Sequence, residues 1–256
     1  MDVDFALFVA VGFVAQLIDG AIGMGYGVIA TSVLVATGMP PALASAAVHV
    51  TKIPTGIASG LSHWKFGNVD WALCRKLILP GVIGGIIGAS AISLMPLQLI
   101  RPLAAFYLGF MGILVILRAV RWRGRGESAV AKRRRPGVIG LLGGLFDSFG
   151  GGWGPIVTTS LIMQQHEPRK AVGSANTAEP VVAAIQAGVF SFWLGAATLT
   201  TIGSTALAIM VGALVAAPLA AFMVNRLPGR LIAGAVGMVL IAINIPTILS
   251  VLGRIL

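Results

Sequence analysis

Two ionisable residues stand inside long apolar stretches of the chain. Lys52 lies in the stretch that begins at Pro41, and Glu179 lies at a similar depth in the stretch that begins near Ala171. An ionisable side chain inside a membrane segment costs about 2.5 to 3.5 kcal/mol or more, which favours a functional role. We predict that Lys52 is the counter-charge for an anionic substrate and that Glu179 carries a proton or is the partner that Lys52 releases. The alternative is an ion pair that only joins two parts of the protein.

Each of these residues has a polar neighbour at the same spacing. His49 precedes Lys52 by three positions, and Asn176 precedes Glu179 by three. Residues three apart share one face of a helix. We therefore predict that His49 and Asn176 belong to the same substrate site.

Two glycine-rich segments, each led by an aspartate, are the other candidate binding elements. The first reads D-G-A-I-G-M-G-Y-G and the second D-S-F-G-G-G-W-G. Glycine lets a ligand approach the backbone closely, and a helix that begins after such a segment directs N–H groups toward an anion. The predicted binding residues here are Gly25, Tyr26, Gly27, Thr31, Gly152, Trp153, Gly154 and Thr158. Neither segment fits the GxGxxG or GK[ST] pattern of a nucleotide-binding loop.

Several of these residues have a second interpretation. Asp19 and Asp147 either cap the ends of broken helices or bind a coupling cation. Tyr26 and Trp153 either line a pocket or pack against neighbouring helices. Close helix packing is the alternative for the glycines. We assign His63, near the end of an apolar stretch, to the membrane interface.

An internal repeat of about 127 residues relates the two sets of candidates. It aligns Asp19 with Asp147, Tyr26 with Trp153, His49 with Asn176 and Lys52 with Glu179. Paired repeats with broken apolar segments at matching positions indicate the substrate site of a secondary transporter.

The composition is that of a membrane protein. Hydrophobic residues make up 57% of the 256 residues and charged residues only 10%, against about 25% charged in soluble domains. The acidic start of the chain lacks the features of a signal peptide, so we expect the first apolar segment to remain. A single cysteine, Cys74, excludes an internal disulfide and a multi-cysteine metal site. We predict no metal and no cofactor.

These elements predict an all-α polytopic membrane protein with two inverted-topology repeats, each a re-entrant helical hairpin plus three transmembrane helices. The first repeat, 1–120, has its hairpin at 5–37 and spans at 41–62, 73–95 and 97–118. The first hairpin is expected to join half-depth arms 5–18 and 28–37. A basic linker follows at 121–136. The second repeat, 137–256, has its hairpin at 137–163 and spans at 171–193, 201–224 and 231–252. An odd number of spans in each repeat requires the copies to be inverted.

The positive charges predict the sidedness of this arrangement. If the basic loop 121–135 is cytoplasmic, all 18 Lys and Arg residues except Lys52, Arg101 and Arg254 lie on the cytoplasmic side. The N-terminus is then outside, in a cell membrane that we expect to be a bacterial inner membrane. The positive-inside rule explains the net charge of +10 better than nucleic-acid binding does.

The chain resembles a known family of transporters. The resemblance is carried by L-I-D-G-A-I-G-M-G-Y-G, by L-F-D-S-F-G-G-G-W-G-P, by A-S-A-A-V-H-V-T-K ending at Lys52, and by P-R-K-A-V-G-S-A-N-T-A-E ending at Glu179. These segments are similar to the TauE/SafE sulfite exporter family, also called the 4-toluene sulfonate uptake permease family, over nearly the whole chain. The resemblance implies a secondary transporter of small sulfur-containing anions such as sulfite, sulfoacetate or other short organosulfonates.

The combined prediction is alternating-access transport of a small sulfur-containing anion across the lipid bilayer, with a proton or cation as candidate coupling ion. The alternative is an anion channel lined by the same residues. An enzyme is not expected, because the chain has no GxSxG or HExxH pattern.

Overall fold

The structure is a computed structural model that describes residues 3–120, 135–164, 166–195, 197–223 and 229–252. Within these ranges the chain forms α-helices and one π-helical turn, with no strand. The first half contains α1 (Val3–Ile22), α2 (Tyr26–Ala36), α3 (Pro41–Lys65), α4 (Trp71–Leu94) and α5 (Leu97–Val120). The second half contains α6 (Pro136–Asp147), the π-helical turn Gly154–Thr158, α7 (Thr159–Met163), α8 (Pro168–Leu194), α9 (Ala197–Met223) and α10 (Gly229–Leu252).

The long helices identify a membrane protein. In the described part of the chain, segments long and apolar enough to cross a membrane are Phe5–Ile22, Trp71–Leu94, Leu97–Leu117, Pro168–Leu194 and Ile202–Met223. A crossing needs about 20 apolar residues. The chain is therefore an all-helical, multi-pass membrane protein, as predicted. Helices also lie over all six segments predicted as spans, and no helix end differs from the prediction by more than four residues.

Two breaks separate the short helices from the longer ones. The first break, Gly23–Gly25, lies between α1 and α2, and the second, 148–153, follows α6. Helix α2 has 11 residues and α6 has 12, which correspond to about 16 and 18 Å of length. Both are too short to cross an apolar core of about 30 Å.

The first arm of the predicted hairpin differs from the prediction. We expected a half-depth helix over 5–18, but α1 has 20 residues and continues to Ile22. Asp19 therefore lies in the last turn of α1 and not in the break. The helix ends where Gly23 takes a φ of 75°, a conformation that other residues rarely adopt.

The two halves pack in a reciprocal pattern. Helix α1 lies along α9 of the second half, and the corresponding α6 lies along α4 of the first half. Helix α3 packs on its counterpart α8, and α5 packs on its counterpart α10. The contacts of α3 with α9 are likewise matched by those of α8 with α4. Exchanging the two halves therefore leaves the most extensive helix contacts unchanged.

Glycines allow the closest of these helix pairs. Gly84 lies against the Leu141 carbonyl of α6, and Gly144 lies against the Gly81 carbonyl of α4. In the matching pair, Gly12 lies against the Ile209 carbonyl of α9, and Gly212 against that of Val9 in α1. Small residues of this kind let membrane helices approach closely.

One end of the helix bundle is basic. Lys170, at the start of α8, donates from Nζ to the carbonyls of Gly67 at 2.8 Å and Val69 at 3.1 Å in the loop between α3 and α4. The exposed residues Lys65, Arg75 and Lys76 flank that loop. The basic segment 121–134, Arg226 and Arg254 lie outside the described residues.

Candidate functional site

Asp147, the last residue of α6, is the centre of a buried charged cluster. Its Oδ1 accepts hydrogen bonds from Lys52 Nζ at 2.9 Å and from the backbone N–H of Trp153 at 3.0 Å. Its Oδ2 lies 3.1 Å from His49 Nε2, and His49 Nδ1 lies 2.7 Å from the Ser45 carbonyl. Both Asp147 and His49 are fully buried. Each oxygen of this carboxylate thus faces a polar group of α3.

Lys52 joins the two halves of the protein through two carboxylates. It lies near the middle of α3, and its Nζ is 2.7 Å from Glu179 Oε1 in α8 as well as 2.9 Å from Asp147 Oδ1. The Lys52 side chain is only 4% exposed. The direct pair with Glu179, one of the two alternatives from the sequence, therefore exists in this conformation. A buried ammonium needs such partners, because desolvation of an unpaired charge is costly.

Asp19 plays the same local part as Asp147 in the other half. Its Oδ1 accepts the backbone N–H of Tyr26, the first residue of α2, at 3.2 Å. Each aspartate therefore lies in the last turn of one helix and caps the start of the next across the break, as negative groups do at helix N-termini. Of the two interpretations of these aspartates, the geometry displays capping. In the described residues no group of three or more His, Cys, Asp or Glu side chains is placed to hold a metal ion.

The two breaks meet each other directly. The Cα atoms of Gly27 and Gly151 approach so closely that a Cβ added to Gly151 would overlap the backbone of Gly27. Gly154 lies against the backbone of Met24, and Gly27 also faces the Lys52 ammonium. Gly27 and Gly154, which we predicted to bind the ligand, thus make close backbone contacts in this conformation, and their part in binding stays a prediction. Gly25, at φ 131°, forms the turn before α2.

A small polar cavity lies beside the charged cluster. Its lining residues come from α1, α2, α3 and α8, and they are Gln16, Asp19, Tyr26, Lys52, Thr55, Gly56, Ser59, Asn176 and Glu179. The cavity is narrow, with room for about one water molecule. The ion pair between Lys52 and Glu179 forms part of the cavity wall. A ligand larger than water would need this wall to open.

The other predicted site residues lie at or behind the breaks. Trp153 is fully buried, and its Nε1 donates to the Ala175 carbonyl at 3.0 Å. Thr31 lies against Gly150, and Thr158 lies against Gly23. Gly152 lies against the Tyr107 hydroxyl. The structure thus brings Lys52, Asp19, Tyr26, Asn176 and Glu179 to the cavity, and it leaves His49, Asp147, Gly25, Gly27, Gly152, Gly154, Thr31, Thr158 and Trp153 outside the lining.

Several lining residues were missed from the sequence. Thr55 and Ser59 follow Lys52 at spacings of three and seven, and Gln16 precedes Asp19 by three. Helical spacing from an already suspected charge was the available signal. It could have added these residues, since they share a helix face with Lys52 or Asp19.

Comparison with known proteins decides the family. The family model described as "Sulfite exporter TauE/SafE" matches residues 8–246. The chain belongs to the TauE/SafE sulfite exporter family. It is also 36% identical over 249 residues to "Probable membrane transporter protein YtnM" of Bacillus subtilis strain 168. The aligned region covers 95% of this chain and 82% of that protein. No solved structure gives a significant match. Membership in TauE/SafE makes the chain a membrane transporter.

Proposed function

We propose that this TauE/SafE protein is a secondary transporter of small sulfur-containing anions such as sulfite, sulfoacetate or other short organosulfonates. The observation that carries the proposal is the buried Lys52 ammonium, which borders a polar cavity at the middle of α3. A lysine is a compact positive charge with three donors, suited to a sulfonate or sulfite oxygen. His49, Asn176 and Tyr26 add polar groups at or beside the same place.

The charges around Lys52 support coupling of the anion to protons. The cavity is lined by the carboxyl groups of Asp19 and Glu179 and by one ammonium, and Asp147 lies behind that ammonium. An anion entering while these carboxyl groups are ionised would be repelled at close range. Protonation of Glu179 would remove one of these negative charges and free one of the two contacts of Lys52 for the substrate. Glu179 is therefore our candidate for the coupling residue.

The packing pattern supports two inverted repeats that alternate access to this site. The reciprocal contacts of α1 with α9 and of α6 with α4 are those expected from a two-fold relation between the halves. The short helices α2 and α6 fit hairpins that enter the membrane without crossing it. Movement of one half against the other would break and remake the Lys52 bridge.

The distribution of charge supports the proposed sidedness. The basic end, marked by Lys65, Arg75, Lys76 and Lys170, fits the cytoplasmic face by the positive-inside rule. The N-terminus is then outside, in a bacterial inner membrane.

The test is thermal stabilisation of the purified protein by sulfite, sulfoacetate, taurine, thiosulfate, sulfate and a carboxylate control. A ligand at 100 times its Kd contributes about 2.7 kcal/mol to the folded state. We expect one sulfur anion to raise the melting temperature of the wild type and of Lys65→Ala, an exposed lysine of the same helix. Lys52→Ala should show no such rise.

Two further measurements separate the possible failures. Lys52→Arg keeps a positive charge between Asp147 and Glu179, so it reports whether the loss of a cation or a general loss of structure explains Lys52→Ala. Saturable uptake of the stabilising anion into proteoliposomes supports a transporter, whereas single-channel currents would support a channel. An equal ligand-induced rise in wild type and Lys52→Ala contradicts the assigned site.

A further inference from the structure

Helix α3 has a buried polar face that extends from the charged cluster to the basic end of the bundle. The face consists of Lys52, Thr55, Ser59 and His63, which are 3%, 1%, 1% and 0% exposed. Their spacings of three, four and four residues place them on one side of the helix. The opposite side exposes Ile57, Leu61 and Trp64. This helix thus carries its polar residues inside and its apolar residues outside.

The buried face is long enough to connect the cavity with one membrane surface. The 11 residue steps from Lys52 to His63 correspond to about 17 Å of helix, or about half of a 30 Å apolar core. Lys52, Thr55 and Ser59 line the cavity, and His63 lies in the last turn of α3 at the basic end of the bundle. His63 is fully buried by other parts of the protein, and its position at the membrane interface stays a prediction.

Ser59 and His63 each have a side-chain polar atom on this face that is incompletely paired. Among the described residues, no hydrogen-bond partner is present for Ser59 Oγ or for His63 Nε2. The other ring nitrogen of His63, Nδ1, lies 3.3 Å from Asn68 Nδ2. A buried polar group without a full set of partners destabilises the folded state. These two groups leave room for a transient partner, such as water or a proton.

The second half of the protein provides an internal comparison. The repeat aligns Lys52 with Glu179, and the same register places Val182, Gln186 and Phe190 of α8 opposite Thr55, Ser59 and His63. Val182, Gln186 and Phe190 are also buried, but only Gln186 is polar. Phe190 fills the position of His63. The fold therefore does not require a polar face here, and only the half that leads to the basic end has one.

We propose that this face of α3 is a proton path between Glu179 and the basic end, with His63 as its proton-exchanging group. The inference rests on the proposed function, since it serves proton-coupled transport. One ring nitrogen of His63 accepts a proton from water at the basic end, and the imidazolium then releases the proton of its other nitrogen inward, which leaves the neutral ring in its other tautomer. Rotation of the ring restores the starting tautomer before the next proton. The hydroxyls of Ser59 and Thr55, with water in the cavity, pass the proton to the Glu179 carboxylate, which becomes a neutral carboxylic acid.

The surroundings of His63 contain few competing charges. Its ring forms a hydrogen bond with the backbone of Gly20 in α1, and the titratable residue nearest in sequence there is Asp19, which already lines the cavity. Helix α9, which meets Asn68 at the Ala221 carbonyl, carries no charged residue. Lys170 of α8 binds the loop carbonyls, Asp70 caps α4, and Lys65 is exposed on α3 itself.

The path and the anion site are tested separately in proteoliposomes. Uptake of sulfite or sulfoacetate driven by a pH gradient requires net proton movement, whereas exchange of the same anion at equal pH does not. We expect His63→Phe, which copies Phe190, to reduce gradient-driven uptake at least tenfold and to leave exchange within about twofold of wild type. His63→Gln, which keeps a partner for Asn68, should behave in the same way. Ser62→Ala, on the outward side of α3, should resemble wild type in both assays.

The outcomes distinguish the two proposals. Wild-type gradient-driven uptake in His63→Phe or His63→Gln overturns the proton path. An equal loss of uptake and exchange in both His63 variants overturns it as well, because that result shows a structural role. Wild-type uptake that a pH gradient does not accelerate excludes the path while the anion site stands. If the wild type shows neither gradient-driven uptake nor exchange of any of these anions, the proposed function itself is rejected.

Discussion

The two halves of this transporter use the same backbone frame around different charges. In each half an aspartate caps the next helix across a glycine break, at 3.2 Å for Asp19 to Tyr26 and 3.0 Å for Asp147 to Trp153. Only Asp147 also holds a lysine. The two halves thus share a capped helix break, and they differ in the charged residues that α3 and α8 place beside it.

The aromatic residues after the two breaks also make equivalent connections with different groups. Tyr26 donates from its hydroxyl to Thr51 Oγ1 at 2.7 Å, and Thr51 in turn donates to the Val48 carbonyl. Trp153 donates directly to the carbonyl of Ala175, the residue that the repeat aligns with Val48. A larger ring in the second half thus replaces a two-step connection with one hydrogen bond. The connection is shared while the residues that make it differ.

The contact between the two breaks is the most sensitive part of the shared frame. Gly151→Ala should prevent correct folding, because its Cβ would overlap the Gly27 backbone at a φ of 107°. We expect a loss above about 4 kcal/mol, seen as aggregation or absence of a monodisperse peak in size-exclusion chromatography. Gly67→Ala is the control, because its φ is 70° but nothing lies within 4 Å of an added Cβ; its cost should be about 1 kcal/mol. Similar behaviour of both variants would contradict the close contact.

The two aspartates should respond unequally to the same substitution. Asp147→Asn leaves Lys52 with Glu179 as its only carboxylate partner, so we expect a loss of about 3 kcal/mol, or about 6 to 12 °C in melting temperature. Asp19→Asn keeps an oxygen that accepts the Tyr26 N–H, so its loss should be below about 1 kcal/mol. Thermal unfolding of the two purified variants measures the difference. Equal losses would show that capping, and not the lysine, determines the stability of both sites.

The aromatic pair should give the smallest effects. Tyr26→Phe removes one hydrogen bond to Thr51 and should cost about 1 kcal/mol. Trp153→Phe removes both a hydrogen bond and part of a fully buried ring, so its cost should be about 2 kcal/mol. The melting temperatures of the two variants check this order. A reversed order would mean that the Thr51 connection carries more of the packing than the indole does.

The sequence predicted the helical segments well because apolar length and glycine breaks are local properties. It also offered an ion pair between Lys52 and Glu179 as one of two alternatives, because the repeat aligns these residues, and the structure contains this pair. The sequence placed the end of the first arm at residue 18. In the structure α1 continues to Ile22, because Gly20 keeps a helical backbone and Gly23 is the first glycine with a positive φ. The burial of His63 was missed, since a position near a helix end does not reveal which helices cover it.

The sequence by itself determined a duplicated, helical membrane protein with one lysine and one glutamate at matching depth. Hydropathy, charge distribution and self-similarity are enough for that, because the bilayer constrains each segment separately. Only the tertiary structure decided that Asp147 shares Lys52 with Glu179, that the glycine breaks pack on each other, and that α3 buries a polar face between the cavity and one end. These contacts join residues about a hundred positions apart, and their geometry depends on how the two halves pack.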